Sequence, residues 1–172
     1  IRVLDFSRVL AGPFAGRMLS DMGAEVVKLE PPEGDVTRGW GRKRAGISGY
    51  YTQQNAGKRS ICIDLEAKGS TPLIRRLASR ADVVIENFRQ GSLERLGYSY
   101  EALRRIRPDL IYVSMPAFGN SGPWQKYLAY GIGQEQLSGM AHMTGYRGEG
   151  PMKSGINHGD PITGSLAAWV LM

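Results

Sequence analysis

Five short runs of Val, Ile and Leu, separated by segments with helical spacing, constrain this chain more than any other feature. The runs cover residues 3–6, 25–30, 60–65, 82–86 and 110–114. They are nearly continuous in apolar residues instead of alternating, the pattern of strands buried on both faces. Between them, residues 14–22 set Phe14, Met18, Leu19 and Met22 on one helical face, with Gly23 as a natural C-terminal stop. Thr71 reads as an N-cap, with Pro72 at the first helical position and Leu73, Ile74 and Leu77 inside. Residues 100–106 read as a short helix closed by Pro108, and the last twelve, PITGSLAAWVLM, as another. Strands alternating with helices predict a parallel sheet with right-handed crossovers. The expected fold is α/β, a Rossmann-like parallel sheet flanked by helices.

Composition narrows the chemistry. With 172 residues, 42% hydrophobic and 22% charged, the chain has the make-up of one globular domain. No stretch approaches the ~20 unbroken apolar residues of a spanning helix. Cys62 stands alone, so no internal disulfide forms and a reducing compartment is expected. That cysteine and two distant histidines, His142 and His158, are too few for a nitrogen- and sulfur-ligated zinc site. Net charge is 22 − 16 = +6, which suits an anionic partner such as nucleic acid, a membrane face or a phosphorylated cofactor without choosing among them. The chain opens inside a strand without Met and closes on an apolar helix, so it is expected to be a piece of a longer protein, with any targeting signal unobservable.

Two stretches break the alternation. Residues 31–55 are rich in Gly, Arg and aromatics, and residues 116–161 hold ten glycines and no convincing strand. Ligands of open α/β sheets lie at the carboxyl ends of strands, here feeding residues 7–13, 31–40, 87–91 and 116–122. Gly131-Ile132-Gly133 does not follow a strand, and the first loop, SRVLAGP, lacks dinucleotide-binding glycines, so a nicotinamide or flavin site is not expected. Arg75, Arg76 and Arg80 on one helix, and Arg104, Arg105 and Arg107 on another, read as solvated faces. They lack the interleaved aromatics of a nucleic-acid surface. Arg38 admits two readings: a phosphate ligand with Trp40 stacking beside it, or a loop arginine paired to Asp35 with Trp40 as plug. Asn87-Phe88 reads either as a strand-end cap with Phe88 in the core or as a ligand contact.

Asp160, before Pro161, has the form of a helix N-cap. It also sits among small residues, Gly155, Gly159 and Gly164, that let a ligand approach. A carboxylate at a helix N-terminus is held ionised, which makes it a poor general base but a usable nucleophile where water is excluded.

Taken together, these blocks resemble the class III CoA-transferases, the group of formyl-CoA transferase, carnitine CoA-transferase and the bile-acid-inducible enzymes. The resemblance runs through VLDFSRVLAGPFAGRMLSDMGAEVVKLEPPEGDVTRGW, GKRSICIDL, ADVVIENFRQGSLERLGYSYEAL, IYVSMPAFGNSGP and HGDPITGSLAA, in order, over essentially the whole chain. It implies that Asp160 is the nucleophile and that Leu10, Ala11, Ile63, Asn87, Phe88, Arg89 and Arg95 contact coenzyme A. Trp40 falls on an active-site tryptophan. Pro31 stands where one relative has a phosphate-binding Arg and Glu66 where it has Lys, leaving Arg38 or Arg42 as compensating cations. The resemblance further implies that residues 1–172 form the N-terminal part of a large domain. The rest of that domain, a glycine loop over the nucleophile and a small second domain would lie beyond Met172.

The implied reaction moves CoA from an acyl-CoA to a free carboxylic acid through an aspartyl anhydride and an aspartyl-CoA thioester. Acyl-CoA and the acid are substrates, with no permanently bound cofactor and no metal. A cytoplasmic, interlocked homodimer without nucleic-acid or membrane partners is implied as well. One branch, the α-methylacyl-CoA racemases, uses a His-Asp pair before the LSG segment; here that segment reads Ala129-Tyr130-Gly131. Racemisation, with His158 as substitute base, and a non-catalytic CoA-binding module stand as the alternatives.

Overall fold

The computed structural model describes residues 1–172. In chain order it runs β1 (Arg2–Asp5), α1 (Ala11–Asp21), β2 (Glu25–Glu30), a 3-10 turn (Val36–Gly39) and the hairpin β3 (Lys43–Arg44)–β4 (Ile47–Ser48). Then come α2 (Gly49–Asn55), β5 (Arg59–Cys62), α3 (Ser70–Ala78), β6 (Val83–Glu86), α4 (Ser92–Arg95), α5 (Tyr100–Arg104) and β7 (Ile111–Ser114). The C-terminal stretch adds α6 (Gly131–Leu137), α7 (Met140–Met143) and α8 (Gly159–Val170). Five strands form one sheet in the order β5-β2-β1-β6-β7, every pair parallel, so the expected α/β sheet is present.

Side chains alternate across that sheet and bury on both faces. Leu4, Phe6, Leu29 and Val84 pack against Ile74 and Ala78 of α3, Leu93 of α4 and Leu103 of α5. Val3, Val26, Val83 and Ile85 pack against Ala15 and Leu19 of α1 and Ala168 of α8. Helices α1 and α8 approach closely because residue 164 is glycine: a Cβ there would come within 2.6 Å of the Ala11 carbonyl oxygen. That contact sets the start of α8 beside the first loop.

Several sequence-based boundaries shift. β5 begins at Arg59 and leaves the sheet after Cys62, although Ile63 still donates to the Glu30 carbonyl at 2.8 Å. α1 starts at Ala11, and its expected apolar face ends early, since Met22 is 49% exposed. α3 starts at Ser70 with Gly69 as N-cap, so Thr71 is no cap: its hydroxyl lies 3.3 Å from the Tyr98 hydroxyl. Pro72 falls at the third helical position, where its missing N–H is still one the helix leaves unpaired. Residues 31–55 and 116–161 are not structureless, since the first holds the hairpin and α2, the second α6 and α7.

Candidate active site

The carboxyl ends of β1, β6 and β7 open into a cleft, and α8 brings Asp160 to its floor. The loop after β1 is pinned group by group. The Ser7 N–H donates to Asp5 at 2.9 Å, and its carbonyl accepts from the Lys28 ammonium at 2.6 Å. The Asn87 side chain bridges Arg8, accepting its N–H at 2.8 Å and donating to its carbonyl at 2.7 Å. Val9 N–H donates to Asp35 at 3.3 Å. This clamping holds Val9 at φ +69°, a left-handed conformation costly for a β-branched residue. Beneath the loop lie two buried ion pairs, Lys28–Asp35 at 3.1 Å and Lys58–Asp5 at 2.8 Å.

Three cavities share Phe88 and line the cleft. The central one, about 280 Å³, is bounded by Val9, Ala11, Asn87, Tyr130 and Asp160. On one side a cavity of about 470 Å³ carries Arg8, Arg95, Pro31 and Glu66. On the other, about 610 Å³ is lined by Arg89, Gln125, Tyr127 and Tyr130. Arg89 borders both the central and the larger cavity. Over Phe88, the Arg8 guanidinium sits 5.1 Å from the ring centroid, a cation–π stack.

Asp160 is not the N-cap of α8. His158 holds that position and Asp160 lies in the first turn. Its carboxylate accepts one hydrogen bond, from the Gly131 N–H to Oδ2 at 3.0 Å. Burial pushes the Asp160 carboxyl above its ordinary range, and the Gly131 bond offsets only part of that. The helix-terminus argument, which held the group more readily ionised, is therefore corrected: desolvation prevails, and the carboxylate is more basic than a solvated aspartate. Its charge reaches Tyr50, whose phenol is raised first by burial and then by Asp160.

Residue 131 must be glycine for this geometry. An added Cβ would collide with Asp160 Oδ2 and stand 2.9 Å from the Asn157 carbonyl oxygen. We predict that Gly131→Ala turns the Asp160 carboxylate out of place and lowers kcat on the order of a hundredfold, with CoA affinity kept. Single-turnover kinetics and calorimetric titration with CoA check the two halves of that statement.

The remaining expected site residues divide. Ala11, Asn87, Phe88, Arg89 and Arg95 line the cleft. The Asn87 amide bonds Arg8 with both its oxygen and its nitrogen, so it shapes the loop and keeps one N–H for a ligand. Phe88 packs against the core and also walls all three cavities of the cleft. Leu10 and Ile63 are buried, at 5% and 7% exposure, and face none of the three cavities. Arg38 is not Asp35's partner, and it lines none of the three cavities. It forms a two-pronged pair with Glu30, both bonds 2.7 Å, and stacks 3.8 Å from the Tyr51 ring centroid. Asp35 is already engaged by Lys28 and caps Thr37. Arg42 lies at the exposed hairpin with Lys43 and Arg44 and lines none of the three cavities. Trp40 plugs nothing: it is 40% exposed and packs on Tyr50, ring centroids 5.6 Å apart.

Sequence patterning missed Arg8, the two buried lysine–aspartate pairs and two buried glutamates. Glu86 accepts the Phe88 N–H at 2.7 Å and the Ser114 hydroxyl, orienting the loop after β6, and burial raises its carboxyl despite both bonds. Glu135 accepts from Ser154 and His158 just ahead of Asp160. Only an unpaired-looking charge inside an apolar run, as at Lys28 or Glu86, could have flagged such groups.

Comparison with known proteins follows the geometry. The model for CoA-transferase family III matches residues 1–172. Succinate–glutarate CoA-transferase of Agrobacterium fabrum is 45% identical over an alignment that covers 95% of this chain and 43% of that protein. Human succinyl-CoA:glutarate CoA-transferase is 38% identical over 174 residues, 100% of this chain and 40% of its own length. Formyl-CoA:oxalate CoA-transferase of Streptomyces avermitilis is 37% identical, covering 95% and 40% respectively. Among solved structures, a CAIB/BAIF family protein from Brucella suis superposes with a TM-score of 0.94 at 39% identity, over 99% of this chain and 47% of that one. A hypothetical protein from Mycobacterium tuberculosis does so with a TM-score of 0.90 at 34% identity, over 99% and 48%. The chain thus spans less than half the length of these relatives.

Proposed function

The chain belongs to CoA-transferase family III, and from that premise we propose that its protein transfers CoA from an acyl-CoA to a free carboxylic acid, with Asp160 as nucleophile. The observation that carries the reading is the Asp160 carboxylate itself. It is half-buried, raised in basicity by desolvation, and bound by one backbone donor at the centre of a three-part cleft. Gly131 holds Oδ2, which leaves Oδ1 as the attacking oxygen.

Attack of Oδ1 on the thioester carbonyl breaks the C–S bond and forms an aspartyl–acyl anhydride and CoA thiolate. The thiolate then adds to the aspartyl carbonyl, expelling the first carboxylic acid as carboxylate and leaving an aspartyl-CoA thioester. The incoming carboxylate attacks that thioester, regenerating thiolate and a second anhydride. Thiolate attack on the new acyl carbonyl releases the product acyl-CoA and restores Asp160. Covalent catalysis replaces one difficult exchange by four easier steps. When thiolate adds to the aspartyl carbonyl, negative charge develops on Oδ2, where the Gly131 N–H already points. One such preorganised donor is worth about 3–4 kcal/mol. Water must stay out, because an anhydride hydrolyses.

In this reading the phosphate-bearing end of CoA lies in the cavity with Arg8 and Arg95, the thioester at Asp160, and the acyl group towards Arg89 and Tyr130. Relatives named for succinate, glutarate and oxalate support a short dicarboxylate as acceptor. Arg95→Ala should then weaken CoA binding about tenfold while leaving kcat near wild type, since it removes one charge-assisted phosphate contact; titration with CoA measures it. Racemisation has less support: Ala129-Tyr130-Gly131 carries neither His nor Asp.

The direct test incubates the complete polypeptide with succinyl-CoA, quenches with hydroxylamine and identifies the modified peptide by mass. A hydroxamate on Asp160 that requires succinyl-CoA supports covalent transfer. Solvent deuterium entering the α-carbon without any adduct or acceptor acid would replace it with racemisation.

A further inference from the structure

Helix α8 carries the nucleophile in its first turn but has no cap of its own, since His158 occupies the N-cap and makes no side-chain cap bond. The open donor is the His158 backbone N–H, which reaches Oε1 of Glu135 at 2.9 Å. The same carboxylate accepts the Ser154 N–H on Oε2 at 3.1 Å and the Ser154 hydroxyl on Oε1. Glu135 is 1% exposed, and the Ser154 hydroxyl, with the two backbone donors, holds its carboxyl below the ordinary range. One turn earlier on α6, Gly131 donates to the Asp160 carboxylate. A single short helix therefore holds the nucleophile twice, directly at residue 131 and through the 154–158 segment at residue 135.

Between these two attachments lies Asn157, at φ +51°, whose carbonyl accepts the Asp160 N–H at 3.1 Å. A non-glycine residue keeps a left-handed conformation where its surroundings over-determine it. Here they are three donors converging on one buried carboxylate. Glu135 lines none of the three cavities, so it does not meet substrate.

We propose that Glu135 is a positioning residue for Asp160, acting as the external cap that fixes the 154–158 segment and with it the placement of the nucleophile in the cleft. The catalytic consequence rests on Asp160 being the nucleophile, whereas the structural consequence does not.

The test compares Glu135→Ala and Glu135→Gln with wild type in the complete polypeptide, using succinyl-CoA as probe and hydroxylamine trapping as readout. Glu135→Ala is expected to slow hydroxamate formation on the order of a hundredfold per folded molecule, with KM for succinyl-CoA changed by less than about twofold. Glu135→Gln keeps one acceptor oxygen and should recover about tenfold of that loss. Hydrogen exchange reads the placement with no substrate at all. Amides of residues 154–163 should exchange faster in Glu135→Ala, while those of Val83–Glu86 keep wild-type protection. Unchanged exchange in that segment, or a trapping rate that falls only with the folded fraction, overturns the proposal. If wild type itself forms no hydroxamate, the transferase reading fails, and the exchange measurement alone decides whether Glu135 positions the segment.

Discussion

Asp160→Asn is expected to leave the complete polypeptide folded and able to bind CoA, yet without covalent adduct and with transfer reduced on the order of 10⁴–10⁶-fold. The side chain keeps its shape and its acceptor for the Gly131 N–H, but an amide nitrogen or neutral amide oxygen does not displace a thiolate. Asp160→Ala serves as the control against slow deamidation back to aspartate. The sign of the pH dependence follows from the same group. Only the ionised carboxylate attacks, and burial raises its pKa above the ordinary 3.8. The acid limb of kcat/KM should therefore fall at a pH above 3.8 and vanish in Asp160→Asn. A limb below that value, or an Asn variant that still forms adduct on another residue, would move the nucleophile elsewhere.

Lys58→Met should be the most destabilising single change in the scaffold. The ammonium donates to Asp5 at 2.8 Å, the Pro13 carbonyl at 2.7 Å and the Asn55 side chain at 3.0 Å, so it ties β1, α1 and α2 together. Its side chain is 2% exposed and that of Asp5 0%. Removing the lysine leaves a buried carboxylate short of a counter-charge, a loss of about 3–5 kcal/mol. For a domain of this size that is a Tm drop of roughly 6–20 °C. Denaturant melts of Lys58→Met, Asp5→Asn and the double variant give the coupling, and a sum of independent effects would show that the pair does not act as a unit.

Acid should probe the same pair. Burial alone would raise the Asp5 carboxyl, but the ammonium groups of Lys58 and then Lys28 bring it below 3.8. With a folded pKa under the unfolded one, its stabilisation is present above pH 3.8 and is lost as pH falls through the depressed folded value. Wild type and Asp5→Asn should accordingly converge in stability only below that range.

The reach of the sequence ends at identifiable residues. Strand period and hydrophobic run length are local properties, so β2 at Glu25–Glu30 coincides with its apolar run, and the α/β alternation is visible before any contact is known. The Asp-Pro step by itself read as a helix cap, and only the resemblance of the blocks along the chain singled out Asp160 as the candidate nucleophile. Helices α6 and α7 escaped notice because Gly131-Ile132-Gly133 has poor helix propensity, and the segment is held by what it packs on. The pairing of Arg38 with Asp35 failed for a related reason. Its partner was sought nearby at Asp35, whereas the strand geometry of β2 presents Glu30, and the hairpin returns Tyr51 to stack on it.

What the chain's own order of residues determined, then, is the class of fold and the five strands of its sheet, because both are written in spacing over a few residues. Tertiary structure alone decided the state of the Asp160 carboxylate. A pKa depends on burial and on donors that arrive from distant segments. Asp160 is raised, not lowered, because α8 docks against α1 through Gly164 and buries the carboxyl, and the one bond from the Gly131 N–H, twenty-nine positions away in sequence, offsets only part of that burial.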